Sequence, residues 1–234
     1  MLDIRNPKTA IPIVLLAGIF WSFGPYVVRH IDQPQLVTWQ YLFTRGLVIF
    51  ILLNVYLYLD EGLKFYKNYL KIGISGILGG AGLATAMITF IYSISNTSAA
   101  VTLLCLAAMP FITALLGFMF LKEKISLTVW ISIFVATFGI VVMAFGNAEK
   151  NTLSGLIFGL ASALGFSIFS VTLRWKKNTP KFTTVALSGL FCCVFSTILI
   201  LINDLNFLST NKNEALFATH GTLVCIGLIM YSIG

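Results

Sequence analysis

Few side chains here are able to do chemistry, which makes those few informative. Of 234 residues, 58% are hydrophobic and only 10% are charged. Arg45 stands out because it lies nine residues into the apolar run 36–58, about 13 Å deep at about 1.5 Å per helical residue. Thr38, Tyr41 and Arg45 are spaced i, i+3, i+7 and share one helix face. A charge at that depth is costly, and the usual reason to keep one is a cavity or a bound partner. The competing reading is a snorkelling or paired arginine that helps to pack a helix bundle. No apolar run carries a deep Asp or Glu to pair it. Trp21 is the second signal. Membrane tryptophans prefer interfaces, as Trp39, Trp130 and Trp175 do near the ends of their runs. Trp21 instead sits in the middle of run 10–28, next to Ser22 and five residues before Tyr26. Pro25 removes the N–H that would bond the Trp21 carbonyl. A kinked helix with an aromatic ring and a freed carbonyl suits a binding site at mid-membrane depth. A core tryptophan beside an ordinary proline kink is the plainer reading. Pro110 predicts a second kink, in run 98–121.

Other chemistries fit less well. Gly73-Ile74-Ser75-Gly76 has the form of an intramembrane serine-protease motif, with His220 as its base. Ser75 lies near one end of its run and His220 near the opposite side of the membrane. That leaves roughly 14 Å between groups that must approach to about 3 Å. The glycines of run 69–91 (Gly73, Gly76, Gly79, Gly80, Gly82) suit close helix approach rather than phosphate binding, since no Lys-Ser/Thr follows them. The four cysteines, Cys105, Cys192, Cys193 and Cys225, all fall in apolar runs and read as packing residues. No catalytic group, metal site or cofactor is expected. The net charge of +7 would suggest nucleic acid in a soluble chain. Here the basic residues sit at the ends of apolar runs, so no nucleic-acid partner is expected.

These residues must be positioned by helices in lipid. Soluble domains carry about 25% charged residues, far more than this chain, so the bilayer is its solvent and first partner. Crossing about 30 Å of hydrocarbon takes roughly 20 helical residues. Eight runs are long enough: 10–28, 36–58, 69–91, 98–121, 126–146, 153–173, 181–202 and 215–234. The first has no small-x-small cleavage site and reads as a retained span, not a signal peptide. On the N-terminal side of the membrane fall eleven basic residues: Arg5, Lys8, Lys64, Lys67, Lys71, Lys122, Lys124, Arg174, Lys176, Lys177 and Lys181. Three fall opposite: Arg29, Lys150 and Lys212. The N-terminus is therefore expected in the cytoplasm, and with eight spans the C-terminus also.

Sliding the chain along itself by 145 residues pairs 10–89 with 155–234 and gives thirteen identities. Among them are Ser22 with Ser167, Arg29 with Arg174, Gly76 with Gly221 and Gly82-Leu83 with Gly227-Leu228, and Trp21 meets Phe166. A five-span unit has an odd number of crossings, so its repeat inserts upside down, the arrangement of many secondary transporters. The expected organisation is residues 1–147 as the first repeat and 148–234 as an incomplete second. Trp21-Ser22 and Phe166-Ser167 would then lie level and line one central cavity.

Residues 92–146 make a family resemblance visible. They hold a short polar link (Ser95, Asn96, Thr97, Ser98), the small pair Ala99-Ala100, Pro110, Phe120-Leu121, the turn Lys122-Glu123-Lys124-Ile125-Ser126, Trp130 and Gly139-Ile140. This stretch resembles spans 3–5 of an EamA-type member of the drug/metabolite transporter superfamily. Trp21-Ser22-Phe23-Gly24 and Arg45 fit the same pattern. The resemblance implies an all-α polytopic protein of ten spans in two inverted five-span repeats, of which this chain carries eight. The chain is expected to be a fragment of such a protein. It implies a secondary transporter in the inner (plasma) membrane for a small polar metabolite, such as an amino acid or related compound. With no ATP machinery, a gradient would drive it by alternating access between the repeats. The expected substrate contacts are Trp21, Ser22, Tyr26, Tyr41, Arg45, Phe166 and Ser167, with Pro25 and Pro110 as kinks. A homodimer stays open. The alternative is a non-transporting membrane scaffold or assembly subunit.

Overall fold

In lipid each apolar run must satisfy its own backbone hydrogen bonds, and helix is the local solution. The computed structural model describes residues 7–34, 36–146, 153–176 and 178–233, and among these every regular element is a helix. Arg5, Lys150 and Lys177 of the charge count lie outside the described residues. The helices are α1 (Pro7–His30), α2 (Thr38–Glu61), the short α3 (Tyr66–Leu70) after a 3-10 turn, α4 (Gly73–Asn96) and α5 (Ala99–Leu106). They continue with α6 (Met109–Leu121), α7 (Leu127–Gly146), α8 (Leu153–Trp175), α9 (Lys181–Ile202) and α10 (Asn211–Ile233). Among the described residues seven segments are long and apolar enough to cross a membrane, with α5 and α6 together forming one of them. A shorter apolar stretch, Leu127–Gly139, lies in α7.

Local chemistry sets several boundaries. Gly62, at φ 62°, adopts the left-handed conformation that ends α2, where a side chain would be strained. Ser98 caps α5 by accepting from the Val101 N–H at 3.3 Å, and Ser126 opens α7 by accepting from the Val129 N–H at 3.4 Å. Pro110 does more than kink its span. The α-helix stops at Leu106, the residue whose carbonyl Pro110 has no N–H to bond, and restarts at Met109. Around Pro12 and Pro25, by contrast, α1 stays one helix.

The chain packs as two compact units that do not follow chain order. One comprises Met1–Gly73 with Pro180–Gly234, and the other Ile74–Thr179. In the first, α2 packs along α9 and α10, and α1 along α10. Gly46 and Gly189 let α2 and α9 touch: a Cβ on Gly46 would lie 2.8 Å from the Gly189 carbonyl oxygen, and one on Gly189 would lie 2.7 Å from that of Gly46. Gly227 of α10 receives the Trp21 indole of α1 in the same way. At one end of this unit Lys212 Nζ pairs with Asp32 at 2.7 Å, and Asn213 holds the Asp32 backbone through its side chain. At the other end Lys181 Nζ donates to the Ser232 carbonyl at 2.9 Å.

In the second unit α8 packs against α5 and α6. It also meets α4, where a Cβ on Gly82 would lie 2.8 Å from the Gly165 carbonyl oxygen. Polar side chains bridge the same helices. Ser162 donates to the Ala86 carbonyl and Ser93 to the Gly155 carbonyl, both at 2.8 Å. Arg174 pairs with Glu123 at 2.9 Å where α8 ends and the α6–α7 turn begins.

Candidate functional site: a buried cation between three helices

The first unit holds a polar cluster in its core. Thr38, Tyr41 and Arg45 are all buried along the face of α2 that meets α9 and α10, as their spacing predicts. Tyr41 is 2% exposed and Arg45 5%. The Tyr41 hydroxyl forms a short hydrogen bond with Nδ1 of His220 on α10. Phe217, one turn earlier on α10, packs its ring 4.9 Å from that of Tyr41. Cys192 comes from α9, and its thiol donates to the Leu42 carbonyl at 3.5 Å. Arg45 lies beside Tyr41, Cys192 and His220, and a Cβ on Gly221 of α10 would lie 3.3 Å from its Cα. Next to it, Thr44 donates to Glu214 at 2.8 Å, and Glu214 also accepts the Ser209 N–H at 2.8 Å.

What sets Arg45 apart is what it lacks. Its Nε and Nη1 are buried with no hydrogen-bond partner. The two ion pairs among the described residues, Arg174–Glu123 and Lys212–Asp32, do not involve it. An unanswered charge in a protein interior costs several kcal/mol after relaxation, and a membrane interior adds to that. A fold that keeps such a group has a use for it.

The other candidates are placed less distinctively. Trp21 packs against Gly227 and lies 5.7 Å from the Tyr231 ring. The Ser22 hydroxyl is turned back on its own helix, donating to the Ile19 carbonyl at 2.7 Å. Tyr26 is 61% exposed, with its ring 4.3 Å from that of His30. Phe166 and Ser167 belong to the second unit. There Ser167 donates to the Ala163 carbonyl at 2.7 Å and to the Met109 carbonyl at 3.1 Å, beside the α5–α6 break. Phe166 sits 5.8 Å from Phe169. The structure therefore brings Tyr41 and Arg45 together and describes Trp21 and Phe166 each within its own unit.

His220 enters the cluster as a partner of Tyr41. The sequence alone offers it only as a protease base, although an ionisable residue in a span is signal enough. Ser75, the matching nucleophile, bonds Thr179 at 2.6 Å, so each half of that motif has another partner. The second unit also carries a groove of about 390 Å³ lined by Leu116, Phe120, Ile168, Thr172 and Trp175 among others. Its Thr172 hydroxyl is committed to the Phe169 carbonyl at 2.8 Å, so the groove offers little to a polar molecule.

A chain of apolar helices long enough to cross a membrane, with buried polar side chains bonded between them, is a multi-pass membrane protein. It belongs to the EamA-like transporter family, whose model matches residues 8–145. Two uncharacterized transporters of Helicobacter pylori are similar to it. The one from strain J99 is 26% identical and the one from strain 26695 is 25% identical, each over 203 residues covering 86% of this chain and 66% of the relative. The chain thus spans about two thirds of the length of the curated relatives it matches. A solved crystal structure shares the fold, with a TM-score of 0.68 at 17% identity, over 98% of this chain and 79% of that one.

Proposed function

We propose that the protein is a secondary transporter of a small polar metabolite, such as an amino acid or related compound. It resides in the inner (plasma) membrane with its N-terminus in the cytoplasm, and it works by alternating access between two inverted repeats. The observation that carries the reading is Arg45, a buried charge without an ionic partner in a member of a transporter family. Tyr41 completes the same site.

Two further observations support the organisation. Each ion pair or end contact joins chain ends that an alternating topology puts on one side: Asp32 with Lys212, Lys181 with the Ser232 backbone, and Arg174 with Glu123. The 145-residue offset also relates one helix seam to another. It carries Trp21 to Phe166 and Gly82 to Gly227. In the first unit Gly227 of α10 packs on Trp21 of α1, and in the second Gly82 of α4 packs on Gly165 and Ile168 of α8. A helix seam recurring at the repeat offset is expected of two copies of one structural unit.

The test is metabolite profiling of cells with and without the full-length protein, followed by uptake of the accumulated compound into proteoliposomes. One or more polar metabolites should change in amount and then be carried by the purified protein. Unchanged profiles together with inert proteoliposomes would reject transport.

A further inference from the structure

We infer that Arg45 is an anion-binding centre and that the group it takes is a singly charged carboxylate. The inference deepens the transport reading, on which it rests for its purpose, while its chemistry rests on the charges of the first unit alone. Arg45 is 5% exposed, and its Nε and Nη1 find no acceptor. A guanidinium carries one hydrogen on Nε and two on each Nη, so three donor hydrogens are unmet on those two atoms. Two neighbouring acceptors are already engaged. Tyr41 and His220 bond each other, and the Leu42 carbonyl takes the Cys192 thiol.

Among the described acids of the unit none pairs with Arg45, and Asp204 lies beyond the end of α9. Asp32 pairs with Lys212, and Glu214 accepts from Thr44 and Ser209. Asp60 and Glu61 lie at the far end of α2, about 22 Å along the helix from Arg45. Buried donors are almost always satisfied in native proteins. Among the described residues no side chain meets Nε or Nη1, and a bound anion would supply the acceptor.

Charge then selects the class. One guanidinium neutralises one negative charge. A dianion would bring a second charge, and Arg45 is the one buried Lys or Arg among the described residues, with Lys181 and Lys212 at the two ends of the unit. A carboxylate offers two oxygens and about four acceptor sites, so it can accept along one edge of the guanidinium, from Nε or from Nη1. A halide offers a single atom to donors on two nitrogens.

The experiment uses the full-length protein in lipid nanodiscs, with arginine labelled with ¹⁵N. The probes are sodium propionate, propionamide, chloride and inorganic phosphate at matched ionic strength. Propionate should shift the Arg45 Nε resonance, identified by its loss in Arg45→Gln, and propionamide should leave it in place. Propionate affinity, read from thermal stabilisation, should fall at least about tenfold in Arg45→Gln, while Arg45→Lys retains part of the response. If Arg45→Gln does not fold, the contrast between propionate and propionamide on the unmodified protein decides. Equal responses to those two probes, no response to any probe, or a chloride or phosphate response matching that of propionate would overturn the assignment. Transport of a metabolite without any propionate response would sink this inference and leave the transport reading intact. A propionate response without transport would do the reverse.

Discussion

At Arg45 the sign of a mutational effect separates a working residue from a packing one. Removing one member of a buried ion pair strands the other and costs about 3–5 kcal/mol. Among the described residues Arg45 has no such partner, so its removal strands no carboxylate. Arg45→Met keeps much of the aliphatic stem and deletes the charge. It should leave the stability of the purified full-length protein unchanged or raised by up to about 1–4 kcal/mol, read from the thermal midpoint, while transport is lost. A marked drop in the midpoint would mean that the guanidinium holds the three helices together. Tyr41→Phe is the opposite case. It keeps the ring against Phe217 but leaves His220 Nδ1 buried and unbonded. A cost of about 1–3 kcal/mol is expected, measured by the same melt.

Between elements, glycine seams decide which helices meet. The neighbour facing Gly82 is the Gly165 carbonyl, and backbone cannot swing aside as a side chain does. Gly82→Ala should therefore destabilise the protein by about 1–3 kcal/mol, read from the unfolding midpoint in graded SDS. Gly18 on α1 is the control, because a Cβ there meets nothing within 4 Å. Gly18→Ala should be neutral or stabilising by about 0.5–1 kcal/mol through better helix propensity. If both substitutions behave alike, close approach of α4 and α8 is not what selects glycine. The α5–α6 break shows a different control, in which one missing N–H at Pro110 divides a span and leaves Ser167 donating to the Met109 carbonyl beside the gap.

Across the whole molecule, the charge asymmetry predicts which loops face outward. Asp32 and Lys212 share one end of the first unit, and Lys181 marks the other. All four native cysteines are buried, which keeps the labelling background low. With a membrane-impermeant maleimide, Asp32→Cys and Lys212→Cys should react from the outer face of sealed spheroplasts. Lys67→Cys and Lys124→Cys should react only after lysis. An outward-reactive Lys67→Cys would reverse the proposed orientation.

Span positions were legible in the sequence because lipid allows an apolar run little besides helix. Runs read at 153–173 and 181–202 are the helices Leu153–Trp175 and Lys181–Ile202. The shared face of Arg45 and Tyr41 followed from helical periodicity in the same way, and both residues are buried on it. The partners of that face were not legible. His220 lies 179 residues from Tyr41 in the chain, and Cys192 lies 150 from Leu42. Nothing in the hydrophobic pattern says that α2 should lie between α9 and α10, because lipid is as apolar as leucine and periodic burial does not choose between them. That choice rests on pairs such as Gly46 with Gly189, where two backbones come close enough for dispersion contact, and on polar links such as Thr44 with Glu214. Such contacts act at any sequence separation. Composition and periodicity determined that there are membrane helices and where they run, and tertiary packing decided which of them surround the buried charge.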